Sequence, residues 1–380
     1  MTEQVDAEVA LTSSPVWETQ EARAGASYVD RVMSGRVFTM AGAETMATAP
    51  YVDAQHGGMV LTGPAGLQTA GHMRSRHKNV VFLVEPTSAR VPATEDRPLI
   101  LEMQDSLLPP TVEEVLAGQR QAGAAVSVIP AGFVGVGESG VLKAVVAAAQ
   151  RIDRDDAILP IFAHQKWMGP DAIGQLITWA NRSPHRVALA LGAKQGDPLD
   201  AKGAAEGYRR FFEEVDGAIP WRTDMAGFDA LAHGARSAVI GQIPSLRRLD
   251  VPGTRPFSSD PSNRSPHLFS ADLLRFTRSS VMQKQWFASV EPWTVRDRHG
   301  QAREVDSFTG SDDDRLEAHL INLAAIDQMA AQVTAMTTAQ AAGWWARQVD
   351  SAIAEYERLR RYTNVKVSIP ATLQRWHALR

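Results

Sequence analysis

"ILPIFAHQKWMGPDAIGQLITWANRSPHRVALALGA", residues 158–193, reads as a strand, a helix and a second strand. Its two ends are continuous apolar runs, the pattern of strands covered on both faces. Between them "DAIGQLITWANRS" places apolar residues at helical spacing and carries an Asn near its end. Neighbouring parallel strands need such a crossover, so this step predicts a parallel sheet wrapped by helices.

The same step recurs outward in both directions. Apolar runs stand at "MVLTG" (59), "VVFLVE" (80), "LILEMQD" (99), "AVSVIPAG" (125), "ILPIFAH" (158), "VALALGA" (187), "AIPWRTD" (218) and "AVIGQIPS" (238). Helical patterns such as "TVEEVLAGQRQAG", "GVLKAVVAAAQRI" and "AAEGYRRFFEEVD" separate them. Eight such units predict an α/β fold, a closed (β/α)8 barrel over residues 51–260, with a doubly wound open sheet as the alternative. Residues 1–50, rich in Ala, Thr, Ser and Glu, read as a weakly ordered lead-in. Residues 261–380 read as a helical appendage, with helices over "SPHLFSADLLRFTRSSVMQKQWFAS", "DDDRLEAHLINLAAIDQMAAQVTAM" and "TAQAAGWWARQVDSAIAEYERLRRY". Trp344 and Trp345 in the last of these read as packing residues.

Composition narrows the chemistry. The 380 residues are 44% apolar and 22% charged, with a net charge of −4, which argues against a protein that coats nucleic acid non-specifically. The chain has no cysteine, so disulfides, thiolate metal sites and cysteine nucleophiles are excluded. Its ten histidines show no H-x-x-x-H or H-E-x-x-H spacing, and neither a metal nor a cofactor is expected. "GVGESG", Gly135–Gly140, matches a dinucleotide fingerprint, but the next strand ends in "IFAH" where an acidic residue is required, so it reads as a tight loop. The acidic, polar start "MTEQVDAEVALTSS" and the lack of a long apolar run predict a cytoplasmic protein that does not engage a membrane.

In a parallel barrel the chemistry gathers at the C-terminal ends of the strands. Those ends supply Glu102, Gln104 and Asp105, then His164, Gln165 and Lys166, then Arg222 and Asp224, and finally Gln242, Ser245, Arg247 and Arg248. Asp105, Glu102 and Asp224 are the candidate catalytic carboxylates. Gln104, His164, Lys166, Arg222, Gln242, Ser245, Arg247 and Arg248 are the candidate binding residues, able to meet polar edges or a developing anion. Lys166 or Lys194 could alternatively form a Schiff base in a lyase or aldolase. Arginines with aromatics in "RLRRYTNVK" and "LQRWHALR" suit phosphate and base contacts, although a solvated helical face is the favoured reading.

The stretch "TDMAGFDALAHGARSAVIGQIPSLRR", residues 223–248, resembles the last barrel step of the tRNA-guanine transglycosylase superfamily, and the resemblance extends over residues 55–330. It implies a barrel that binds a nucleobase or nucleoside-like substrate, with tRNA or DNA as partner, and exchanges the base at a glycosidic carbon. It also allows a homo- or hetero-oligomer. The diagnostic residues are changed. Gly63 in "LTGPAGLQ" stands where the family has a catalytic aspartate, and "VIGQI" lacks the nucleophilic one. Trp293, Val295 and Arg298 occupy the positions of three zinc cysteines, leaving His319 as the retained histidine. On this resemblance Asp105 becomes the nucleophile or base, Glu102, Gln104 and Gln242 read the base, and Arg222, Arg247 or Arg248 meets phosphate. A non-catalytic relative that binds nucleic acid or a protein partner is the second reading.

Overall fold

The computed structural model describes residues 27–63, 65–101, 109–254, 265–286, 293–362 and 367–379. Eight parallel strands form its centre: β1 (Arg36–Ala41), β2 (Gly57–Leu61), β3 (Phe82–Val84), β4 (Ser127–Val128), β5 (Ala157–His164), β6 (Arg186–Ala193), β7 (Ile219–Pro220) and β8 (Ser237–Gly241). β1 pairs with β2 on one side and with β8 on the other, so the barrel's first and last strands are neighbours. The ladder continues from β2 to β3 and from β4 through β5 and β6 to β7. Two junctions outside the named strands complete the ring. Ala125 N donates to Phe82 O at 2.7 Å between β3 and β4, and Thr223 N donates to Val239 O at 3.1 Å between β7 and β8. The fold is a (β/α)8 barrel.

Alternation along the strands divides the core into two shells. Phe38, Met40, Val60, Leu83, Ile158 and Phe162 point inward and fill the barrel. Their neighbours Val37, Leu159, Ile161, Leu189 and Ile240 point outward against the helices. Both sets are buried, which is why the strands read as unbroken apolar runs. Gly58 is required inside: a Cβ there would lie 2.4 Å from the Phe38 ring. α1 (Tyr28–Met33) adds Val29, Val32 and Met33 to the inner cluster, and its Asp30 pairs with Arg186 at the start of β6.

The crossovers are α2 (Gly66–Arg76), α3 (Val112–Gln121), α4 (Ser139–Ala149), α5 (Ile173–Ala180), α6 (Ala204–Glu214) and α7 (Ala226–Ala232). Beyond the barrel come a hairpin, β9 (His267–Ser270) and β10 (Arg275–Arg278), and a second hairpin, β11 (Thr294–Arg296) and β12 (Ala302–Glu304). They are followed by α8 (Asp312–Thr334), α9 (Thr338–Tyr362) and α10 (Ala371–Ala378). α8 packs against β1 and the 3-10 segment Ala43–Tyr51, and α9 packs on α7. Trp344 and Trp345 are both buried, facing Phe228 of α7, with Trp345 also against Trp376 of α10.

Three sequence expectations are corrected. The first barrel strand lies inside the span 1–50 taken as a lead-in, because a short run, "RVFTMA", was masked by Ala- and Thr-rich flanks. The expected strand at "LILEMQD" is absent at Leu99 and Ile100, which make a bridge to Ala131 and a bond to Pro130, and residues 102–108 lie outside the described residues. The first part of the expected first helix of the appendage is the β9–β10 hairpin instead, and helix forms only at Ser279–Val281 and Met282–Trp286. Leu274 turns it at φ 47°, and Phe269 packs across the strands on Phe276 with ring centroids 4.9 Å apart. Among the described residues no helix is long and apolar enough to cross a membrane.

Candidate active site

Two clusters of charge lie at the C-terminal ends of the strands, and they are built differently. The first is closed. Glu85, just past β3, accepts from Trp221 Nε1 at 2.7 Å, from Thr62 Oγ1 at 2.9 Å and from Arg222 Nε at 2.8 Å. Arg222 also pairs with Glu85 through its terminal nitrogen and reaches Thr62 Oγ1 at 3.1 Å. Both side chains are buried. Arg222 adopts φ 52°, a left-handed backbone that a non-glycine residue keeps only when its surroundings hold it there. With its lone pairs filled, Glu85 is a structural carboxylate.

The second cluster surrounds a cavity of about 1050 Å³ at the ends of β6, β7 and β8, roofed by the β9–β10 hairpin and α8. Asp197 enters from the loop after β6, Asp224 from the loop after β7, and Arg247 and Arg248 from the segment after β8. Burial pushes Asp197 up to about 7, and repulsion from Asp224 adds to it. Leu199 N and Thr372 Oγ1 donate to its carboxylate and oppose the rise. Burial also raises Asp224, while the Ala226 backbone N–H, donating at 3.1 Å, and Arg247 favour its ionised form. Both carboxyls are thus pushed above the ordinary carboxylate range, and the two titrate as a coupled pair.

Arg247 lies over the Phe276 ring, 3.4 Å from the centroid, and donates to the carbonyls of Gly241 at 3.0 Å and Gln242 at 2.7 Å. Burial lowers it to about 9, against the pull of Asp224. Farther out, burial and the positive charge of Arg247 and Arg278 push His267 down to about 3, and burial with Arg247 and Arg315 pushes His319 down to about 4. Both imidazoles are neutral at pH 7. Gln242 donates to Thr48 Oγ1 at 2.8 Å, while its Oε1 is buried without a protein partner.

A smaller recess of about 660 Å³ holds His164, Lys166 and Lys194 beside Phe133 and Val251. His164 Nδ1 accepts from Lys166 N at 3.1 Å, and burial with the two lysines lowers its affinity for a proton. Both lysine side chains are exposed. Gln195 lines the recess and the large cavity alike.

Of the residues chosen from sequence, Asp224, Arg222, Gln242, Ser245, Arg247 and Arg248 line the large cavity together. His164 and Lys166 line the recess. Glu102, Gln104 and Asp105 lie outside the described residues. Arg222, expected to meet a ligand phosphate, instead commits its guanidinium to Glu85, because removing either partner would leave a buried charge alone. Sequence reasoning missed Glu85, Asp197, His267 and Arg278. Glu85 and Asp197 had a usable signal: each follows an apolar strand run, in "VVFLVE" and "VALALGAKQGD". His267 and Arg278 were hidden by reading their hairpin as a helix.

The region aligned with the family's zinc site is held by ion pairs and packing. Val295 is buried, Arg298 pairs with Asp327 of α8, and Arg303 of β12 pairs with Asp314 at 2.6 Å. Burial raises Asp327 to about 7, with Arg298 opposing the shift. Among the described residues no group of His, Asp and Glu side chains is arranged to hold a metal.

No family model matches the chain, and no curated protein matches it. Solved structures similar to it include a variant tryptophan synthase α-subunit from Pyrococcus furiosus, at 13% identity over 55% of this chain and 88% of that one, with a TM-score of 0.35. Dihydrodipicolinate synthase from Aquifex aeolicus matches at 9% identity over 55% and 69%, with a TM-score of 0.32. The carboxyl transferase domain of Rhizobium etli pyruvate carboxylase matches at 9% identity over 92% and 63%, with a TM-score of 0.35. The assignment of the barrel rests on the strand pairing described above.

Proposed function

We propose that the protein transfers or releases a nucleobase at a glycosidic carbon, using Asp224 and Asp197 in the large cavity. The observation that carries this reading is a pair of half-buried carboxyls raised above the ordinary range, one to about 7, beside a half-buried arginine at the ends of β6–β8. The sequence resemblance to the transglycosylase superfamily supports the same chemistry, with the carboxylates relocated from that family's positions.

The proposed steps give the proton to Asp197 and the charge to Asp224. Ionised Asp224 attacks the glycosidic carbon while Asp197 gives its proton to the departing base, so the carbon–nitrogen bond breaks as the carbon–oxygen bond forms. An incoming base or water then attacks the same carbon, loses a proton to Asp197 and releases Asp224. Arg247 limits the charge that develops in the enclosed site. Gln242 Oε1, buried and without a protein partner, accepts an N–H from the base.

The test is incorporation of labelled guanine into total tRNA and into duplex DNA by the native protein, Asp224→Asn and Asp197→Asn. Exchange by the native protein that both variants lose supports the reading. Nucleic-acid binding without exchange would instead make the protein a non-catalytic relative. Borohydride trapping of a carbonyl compound on Lys166 or Lys194 would move the chemistry to the smaller recess.

A further inference from the structure

The outer half of the large cavity contains positive and neutral nitrogen donors that the carboxylate chemistry does not use. In the β9–β10 register His267 stands opposite Arg278, and Phe269 stands opposite Phe276, so these four share one face of the hairpin. That face meets the cavity at His267, Phe276 and Arg278. Across from it, Arg315 and His319 are four residues apart on α8, and Asn322 is three further on, so the three form one stripe.

Asn322 fixes the distance between the two elements. Its Oδ1 accepts from Phe269 N at 2.6 Å, and its Nδ2 donates to His267 O at 2.7 Å. This clamp, one turn from His319, sets the two histidines against the same space. His319 is 7% exposed, and its Nδ1 has no hydrogen-bond partner. Both acids of the catalytic pair enter from the barrel loops at the other end, where Arg247 faces Asp224. Arg315 has a surface carboxylate, Asp312, at 3.6 Å, whereas Arg278 forms no ion pair with the described residues. Two arginines and two imidazoles around a shared space, one imidazole nitrogen left unpaired, match the donor set of a tetrahedral anion.

We propose that Arg278, Arg315, His267 and His319 form a phosphate subsite, holding a phosphomonoester or phosphodiester group of the ligand whose glycosidic carbon reaches Asp197 and Asp224. The inference rests on the function proposed above for its second half. The subsite itself rests on the hairpin and α8 alone. Phosphate binding here anchors the ligand at a point remote from the reacting bond, which positions that bond without taking part in it.

The test uses the full chain and measures binding of inorganic phosphate, of guanosine 5′-monophosphate and of a short RNA without terminal phosphates. The native protein should bind inorganic phosphate. Arg278→Gln and His319→Gln should each weaken that binding by about tenfold, the size expected for one charge-assisted contact. Arg278→Lys should recover part of the loss, and unchanged thermal melting would separate lost contacts from lost folding. Asp224→Asn should keep phosphate binding. A preference for the monophosphate identifies a phosphomonoester site, and a preference for the RNA a phosphodiester site. Phosphate binding without base exchange would sink the proposed chemistry and leave the subsite standing. Base exchange with an unchanged KM in Arg278→Gln would sink the subsite, as would phosphate binding indifferent to both substitutions.

Discussion

The Glu85–Arg222 cluster and the Asp197–Asp224–Arg247 cavity use the same residue types at the same end of one barrel, a few strands apart. In the first, each carboxylate oxygen of Glu85 meets donors from Arg222, Thr62 or Trp221, so neither oxygen is left to meet a ligand. In the second, burial holds two carboxyls above the ordinary carboxylate range beside a cavity of about 1050 Å³, and Arg247 spends its hydrogen bonds on backbone carbonyls. Filled valences make the first cluster a brace. Unfilled ones make the second a place where charge can move.

Substitutions should separate the two. Asp197→Asn should lower base exchange by about 10²–10⁴-fold, the range for removing a catalytic acid or base group, and Asp224→Asn, which removes the nucleophile, at least as far, while unfolding in urea stays at or above the native midpoint. Glu85→Ala should do the reverse, destabilising the fold by about 3–5 kcal/mol, because Arg222 is then left buried without its counterion. If Glu85→Ala left the urea midpoint unmoved, the closed cluster would not be the brace described here.

The pH dependence sharpens the same contrast. Asp197 holds its proton to about 7 in the folded protein, against an ordinary value of 3.8 in the unfolded chain. Between about pH 4 and 7 the folded state thus binds the extra proton, so stability falls as pH rises through this window, by about 1.4 kcal/mol per pH unit for one group. Above pH 7 the loss is complete. Asp327, raised to about 7 as well, contributes in the same direction. Asp197→Asn and Asp327→Asn should each flatten part of the slope, but only Asp197→Asn should also abolish base exchange, while Asp327→Asn keeps the native fall in kcat/KM above pH 7. A smaller effect is expected at the second hairpin. Arg298→Ala should cost about 1 kcal/mol, since Arg298 is partly exposed and Asp327 can take up a proton when its partner leaves.

Much of the barrel was legible in the sequence because strands buried on both faces leave an unbroken apolar signature, as in "ILPIFAH" and "VALALGA". β1 was not, since its six residues carry Arg36 and Thr39 within the run, and both are buried only through tertiary contacts. Arg36 bonds the carbonyls of Ala54 and Gly57, which no local pattern reveals. In the site, Asp224, Arg247 and Gln242 were legible as strand-end polar residues. Arg222 was legible by position but not by role, because its partner Glu85 lies 137 residues away. The outer wall was illegible because "HLFSADLLRF" carries apolar spacing compatible with a helix, and only cross-strand pairing makes it a hairpin.

The most direct measurement is a carboxyl carbon NMR titration of aspartate-labelled protein from pH 4 to 9, on the native chain and Asp197→Asn. Two aspartate resonances titrating near pH 7, from Asp197 and Asp327, of which one is absent in Asp197→Asn and displaced to lower pH in Asp224→Asn, are the predicted result. Titration of Asp197 below pH 5, indifferent to Asp224→Asn, would contradict the raised, coupled pair and with it the distinction between the brace and the reactive cavity.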